Sequence, residues 1–114
     1  MRSTAWLGAT LLLAACAGTN EYAGVARSDN MQSLVACAAD ALRDEGFTIT
    51  DRNDEAGLLN ADYTGTRDTD GPAWIETRIQ PDGVGRYTIN VEASDDAVAR
   101  DAATEIVEEC RTGI

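Results

Sequence analysis

The chain has no histidine and no lysine, and all nine of its basic residues are arginine. Those absences exclude a Ser/His or Cys/His nucleophile, a histidine zinc site, a Schiff-base lysine and a P-loop lysine. Positive charge is scarce altogether: 20 acids against 9 arginines leave a formal charge of -11 over 114 residues. Binding to nucleic acid needs a basic surface that displaces counterions from phosphate, so nucleic acid is not an expected partner. Long apolar runs are lacking too. The one extended stretch, Ala5 to Ala15, is eleven residues, too few to span a bilayer.

What is present at the N-terminus reads as an export signal over residues 1–15. Arg2 supplies a basic start, Ala5 to Ala15 the apolar stretch, and small residues precede Cys16. Leu13-Ala14-Ala15-Cys16 resembles a bacterial lipobox, whose cysteine is acylated and becomes the mature N-terminus. That resemblance implies lipid attachment at Cys16, an extracytoplasmic location and a membrane partner reached through the lipid. Ala17, not being Asp, is compatible with the outer membrane, facing the periplasm, in an organism with two membranes. Two or three acyl chains anchor stably where one is marginal. An acidic body is repelled by anionic headgroups, so the lipid would do the holding. Residues 16–28 are expected to form a lipidated tether, polar and small from Ala17 to Ser28, which as flexible coil spans about 20 Å.

Residues 29–114 are expected to form one α+β domain. Asp29 and Gln32 suit a helix start, and Met31, Leu34, Val35, Ala38, Ala41 and Leu42 fall on one face before Gly46 closes the helix at Asp29 to Glu45. The period then changes from helical to alternating. Four strands are expected, Phe47 to Arg52, Leu58 to Thr64, Trp74 to Gln80 and Arg86 to Ala93, separated by turn clusters too short for parallel crossovers. Phe47, Ile49, Leu59, Ala61, Tyr63, Ile75, Ile79, Tyr87, Ile89 and Val91 form one apolar face, and the opposite face is polar. A second helix, capped at Ser94 or Asp95, presents Val98, Ala99, Ala102, Ala103, Ile106, Val107 and Cys110 to that apolar face. The expected architecture is a two-layer, four-stranded antiparallel meander with two helices on one face, in the order α-β-β-β-β-α.

With Cys16 assigned to lipid, Cys37 and Cys110 remain, one per helix, in a compartment that is usually oxidising. A disulfide between them is expected, and the alternative is a pair of buried free thiols acting as small apolar residues. They lack the Cys-x-x-Cys spacing of redox-active pairs.

Ala41-Leu42-Arg43-Asp44-Glu45-Gly46-Phe47-Thr48-Ile49-Thr50-Asp51-Arg52, followed by Ala56-Gly57-Leu58-Leu59 and Tyr63, resembles the helix-grip domain of the C-subunit lipoprotein of the outer-membrane β-barrel assembly machine. The match covers about Leu34 to Tyr63 and specifies backbone and turn geometry. It implies a non-enzymatic envelope lipoprotein that binds or scaffolds at a membrane surface, with an envelope protein as partner. The alternative it offers is a small-molecule or lipid carrier of the helix-grip type.

Individual sites are weaker. Asp68-Thr69-Asp70-Gly71 invites a calcium reading, but with Gly71 as the turn glycine of an EF-type loop the first and twelfth positions are Thr66 and Thr77, so a solvated turn is expected and no metal. Glu76 and Glu92 make a poor acid/base pair on an open face interspersed with Arg78 and Arg86, where cross-strand salt bridges are expected instead. Gly83-Val84-Gly85 opens a strand and is a turn, not a phosphate cradle. No cofactor site emerges. Trp74 stands on the polar face beside Glu76 and Arg78, with Leu58 in the same patch, and aromatic and Arg side chains so placed are the usual anchors of a protein contact; the alternative is that a loop or the N-terminal tether covers Trp74.

Overall fold

The computed structural model describes residues 19–63 and 73–111. Ser28 starts the first helix indirectly: its hydroxyl accepts from the Asn30 amide at 3.3 Å and donates to the Asn30 carbonyl at 2.9 Å. Asn30 is held extended in this way, and its side-chain oxygen accepts from the Ser33 amide at 2.8 Å. Asn30 rather than Asp29 is therefore the N-cap, and α1 runs Met31–Asp44. It buries Leu34, Val35, Ala38, Ala39, Ala41 and Leu42. Gly46, at φ +92°, closes it by donating to the Arg43 carbonyl, a conformation glycine adopts without steric cost.

Strands β2 (Phe47–Asn53), β3 (Leu58–Tyr63), β4 (Trp74–Pro81) and β5 (Arg86–Ser94) form the expected antiparallel meander. Thr64 lies outside the described residues. In the β2–β3 turn the Asn53 side chain accepts from the Glu55 and Ala56 amides, and Gly57 takes φ +72°. The Gly57 carbonyl accepts from the Ile79 amide at 2.8 Å. A Cβ at Gly57 would run into the Ile79 carbonyl oxygen, so the site excludes every other residue twice over.

The sheet has five strands, not four. Thr19–Arg27, expected as flexible tether, is strand β1 and pairs antiparallel with β5 along its whole length, from Thr19 opposite Ser94 to Arg27 opposite Arg86. The strand order is β1-β5-β4-β3-β2, so β1 and β2 are the two edges and α1 crosses the sheet between them. The inward residues of β1 are small or half-polar: Tyr22, Gly24 and Ala26. A Cβ at Gly24 would approach Val107 to 2.7 Å, so glycine lets the last helix lie close on this edge.

That helix, α2, runs Ala97–Cys110, and its N-cap is Asp96 rather than Ser94 or Asp95. The Asp96 carboxylate accepts from the Ala99 amide at 2.9 Å, whereas Asp95 turns outward to pair with Arg100 at 2.7 Å. Both acids thus precede the first turn. Between the layers lie Leu42, Leu59, Ile75, Ile79, Ile89, Val91 and Ile106, each at most 1 % exposed, and a set of buried alanines from both helices that permits close approach. Phe47 and Tyr63, opposite each other in the β2–β3 ladder, place their rings 5.3 Å apart at 58°. Thr77 also points inward, buried, with no hydrogen-bond partner for its hydroxyl among the described residues.

Cys37 and Cys110, 73 positions apart in sequence, are joined in a disulfide with Cα atoms 5.8 Å apart. The bond ties the middle of α1 to the end of α2. Closing a loop of that length in the unfolded chain contributes roughly 4 kcal/mol in the chain-entropy model. Replacing both cysteines by Ala should lower the unfolding free energy by about that amount and raise the urea slope, because the unfolded chain without the cross-link exposes more surface, measured by urea titration.

Candidate functional site on the open face of the sheet

Both helices lie on one side, so the register of the sheet decides which side chains share the other. One row runs Glu21, Glu92, Glu76, Asn60 and Asp51 across β1, β5, β4, β3 and β2. The next runs Ala23, Asn90, Arg78, Leu58 and Asn53. Beyond the acidic row, Trp74 stands opposite Asp62, and its amide donates to the Ser94 hydroxyl at 2.9 Å.

The structure brings Trp74, Glu76, Arg78 and Leu58 onto this one face. Trp74, Glu76 and Arg78 are successive outward residues of β4, and Leu58 is directly opposite Arg78. Trp74 and Leu58 are half-buried, Glu76 and Arg78 exposed. Three shallow depressions adjoin them. One of about 80 Å³ is lined by Leu58, Asn60, Glu76, Arg78, Asn90 and Glu92. A second, of about 420 Å³, holds Thr50, Asn60, Asp62, Trp74 and Glu76. The third, about 410 Å³, lies between Arg78, Gln80 and Asn90 on one side and Glu21 and Ala23 on the other. Asn60 and Asn90 were legible as polar-face residues but carried no chemical signature, and Gln80 was legible only as the end of its strand. Glu21 was hidden because its strand read as coil.

The salt bridging expected among Glu76, Glu92, Arg78 and Arg86 is not what the register builds. Glu76 faces Glu92, which faces Glu21, and Arg78 faces Asn90 and Leu58. Arg86 bonds instead to Asp82 in its own turn, at 3.4 Å. Like charges directly opposite on a sheet destabilise it, so this row carries a cost that a neutral row would not.

Two other places on the surface have shifted carboxylates. A hydrogen bond from Arg52 at 2.7 Å holds Asp54 below the usual range and raises the arginine in turn. On α2, the charge of Glu109, then desolvation and the charge of Glu45, raise Glu105. Glu105 lies on the helix side of the sheet, and Arg52 and Asp54 lie at the β2–β3 turn that leads into Leu58. Among the described residues no three His, Cys, Asp or Glu side chains converge to hold a metal ion, and no helix is long and apolar enough to cross a membrane. Cys16, Asp68 and Asp70 lie outside the described residues.

No protein-family model matches the chain, and no curated protein matches it. The face is therefore interpreted on its chemistry. It offers an indole, an aliphatic side chain and Arg78 within a belt of carboxylates and amides, with Arg27 and Arg86 further along the same face. Such a surface can hold a partner by contact and hydrogen bonding.

The carboxylate row gives a direct test. Glu92→Gln removes two like-charge oppositions at once and should stabilise the fold by about 0.5 kcal/mol at low ionic strength. The gain should shrink in 1 M salt, where charges are screened within about 3 Å. Thermal unfolding of both proteins across a salt series measures it.

Proposed function

We propose that this is a lipid-anchored, non-enzymatic envelope lipoprotein whose open sheet face binds or scaffolds another envelope protein. The observation that carries the proposal is the clustering of Trp74, Leu58, Glu76 and Arg78 on the side of the sheet that neither helix covers. An indole and a guanidinium beside an aliphatic side chain are the residue types that dominate protein interfaces. The lipobox-like Leu13 to Cys16 supports attachment through Cys16, and the Cys37–Cys110 bond supports an oxidising, extracytoplasmic compartment. In an organism with two membranes this is the outer membrane, with the domain facing the periplasm. The resemblance over Leu34 to Tyr63 to the assembly-machine lipoprotein supports a role in envelope assembly.

The carrier alternative needs several hundred Å³ of space for a ligand. Ala38, Ala39, Ala41, Ala99, Ala102 and Ala103, each at most 3 % exposed, bring the helices down onto the sheet where that ligand would sit, which weighs against it.

Crosslinking in native membranes, followed by purification and mass spectrometry, tests the proposal. A partner captured by the wild-type protein should be lost with Trp74→Ala or Arg78→Glu, each expected to cost about 2 kcal/mol of binding, roughly 30-fold. Thr104→Ala, on the outer surface of α2 and away from this face, should leave capture unchanged. The same partners at the same yield for all three variants would contradict the proposal, as would an intact mass lacking acyl chains for its membrane-anchoring part.

A further inference from the structure

The two edges of the sheet are built differently. On β2 the register shifts by a bulge between Ile49 and Asp51, and the strand carries Asp51 and Arg52, with Asp54 just beyond. A bulge and outward charges are how natural sheets discourage another strand from adding. On β1 there is no bulge, and its two charges, Glu21 and Arg27, flank five uncharged residues. Nine residues run in unbroken register with β5, without proline, and Val25, two residues from its end, stands 49 % exposed.

The Ser28 amide donates to the Gly85 carbonyl, which continues the same register. Since hydrogen-bonded and non-bonded pairs alternate, the even residues of β1 turn their amides to β5. Glu21, Ala23, Val25 and Arg27 consequently turn theirs outward, to an edge that no described strand occupies. The side chains of those four residues lie on the open face.

The charges on this strand have the wrong neighbours within the chain. Glu21 is opposite Glu92, and Arg27 is opposite Arg86. Among the described residues neither has an ion-pair partner. They stand symmetrically about Gly24, three positions either side.

We propose that β1 pairs antiparallel with β1 of a second copy of this chain, about a two-fold axis at Gly24, to make one continuous ten-stranded sheet. In that register each Glu21 faces Arg27 of the partner subunit, so four charges that meet like charges at home meet opposite charges across the axis. Ala23 faces Val25 of the partner subunit and covers its exposed side chain. Outward amides and carbonyls pair as about eight main-chain hydrogen bonds. Gly24 falls on the axis at a non-hydrogen-bonded position, where strands approach most closely, and brings Val107, which lies over it, to the axis with it. A shift of two residues either way sets Glu21 against Val25 or Asp29, and a shift of one puts the two apolar faces on opposite sides. Charge and pleat select the same register. This inference does not depend on Trp74 binding a partner.

Sedimentation velocity of the full chain in density-matched detergent, over a concentration series, tests it. Wild type should show a monomer–dimer equilibrium. Val25→Pro removes an outward amide and leaves the β5 ladder intact, so it should give monomer with an unchanged circular dichroism spectrum. Glu21→Arg and Arg27→Glu should each weaken the dimer at least tenfold without lowering the thermal midpoint, because each also removes a like-charge opposition within the chain. The double variant Glu21→Arg/Arg27→Glu should restore it. A wild type that stays monomeric at every concentration overturns the proposal, whether the edge is then taken by residues before Thr19 or by a strand of another protein. So does a Val25→Pro dimer, or a double variant no tighter than the singles.

Discussion

A single five-stranded sheet has one apolar side, and the fold is the solution to covering it with two short helices. Each is only 14 residues long, so the layer they form has to be tight to exclude water. Alanine at the contact positions of both makes it tight, and the Cys37–Cys110 bond keeps the two side by side. The rest of the architecture follows. The first helix has to travel from one edge of the sheet to the other. The second rests partly on β1, where Gly24 makes room for Val107. With both helices committed to one side, nothing among the described residues covers the other.

Much of this was written in the pattern of the chain. The stripe from Leu34 to Leu42 and the stripe from Ala99 to Cys110 identify the helices, and the alternation in Trp74 to Gln80 and Arg86 to Ala93 assigns each residue to a face. The disulfide was legible as a count: one cysteine per helix once Cys16 is set aside. Strand β1 was not legible, because Tyr22, Gly24 and Ala26 make a feeble apolar alternation and the surrounding residues are those of a linker. Its stability comes from pairing with β5 and from the helix above it, both of which are distant in sequence. The helix caps moved by a residue or two for a local reason. Where several capping residues stand together, as at Asp29-Asn30 and Ser94-Asp95-Asp96, backbone direction chooses among them and composition does not.

Register was the other hidden quantity, and it bears most on function. Alternation placed Glu76, Arg78, Arg86 and Glu92 on one face and suggested that opposite charges would meet. The ladder set glutamate against glutamate and arginine against arginine. An acidic protein with 20 carboxylates cannot give each one a cation, and here the shortfall is concentrated in one row and at one edge. Unbalanced charge on a bare face is a liability in an isolated domain. It becomes a means of selection when a second surface supplies the missing sign, since complementary charge fixes register and rejects wrong partners more than it adds affinity.

The central claim is that one side of the sheet is sealed by the helices and the other is open to solvent. Methyl and indole NMR signals of the full chain, recorded with a soluble paramagnetic agent, test it residue by residue. The account predicts that the methyls of Ile75, Ile89 and Ile106 are unaffected while those of Thr50 and Thr88 and the ring of Trp74 are broadened. Broadening of Ile89 or Ile106, or protection of the whole Thr50, Trp74 and Thr88 side, would contradict it.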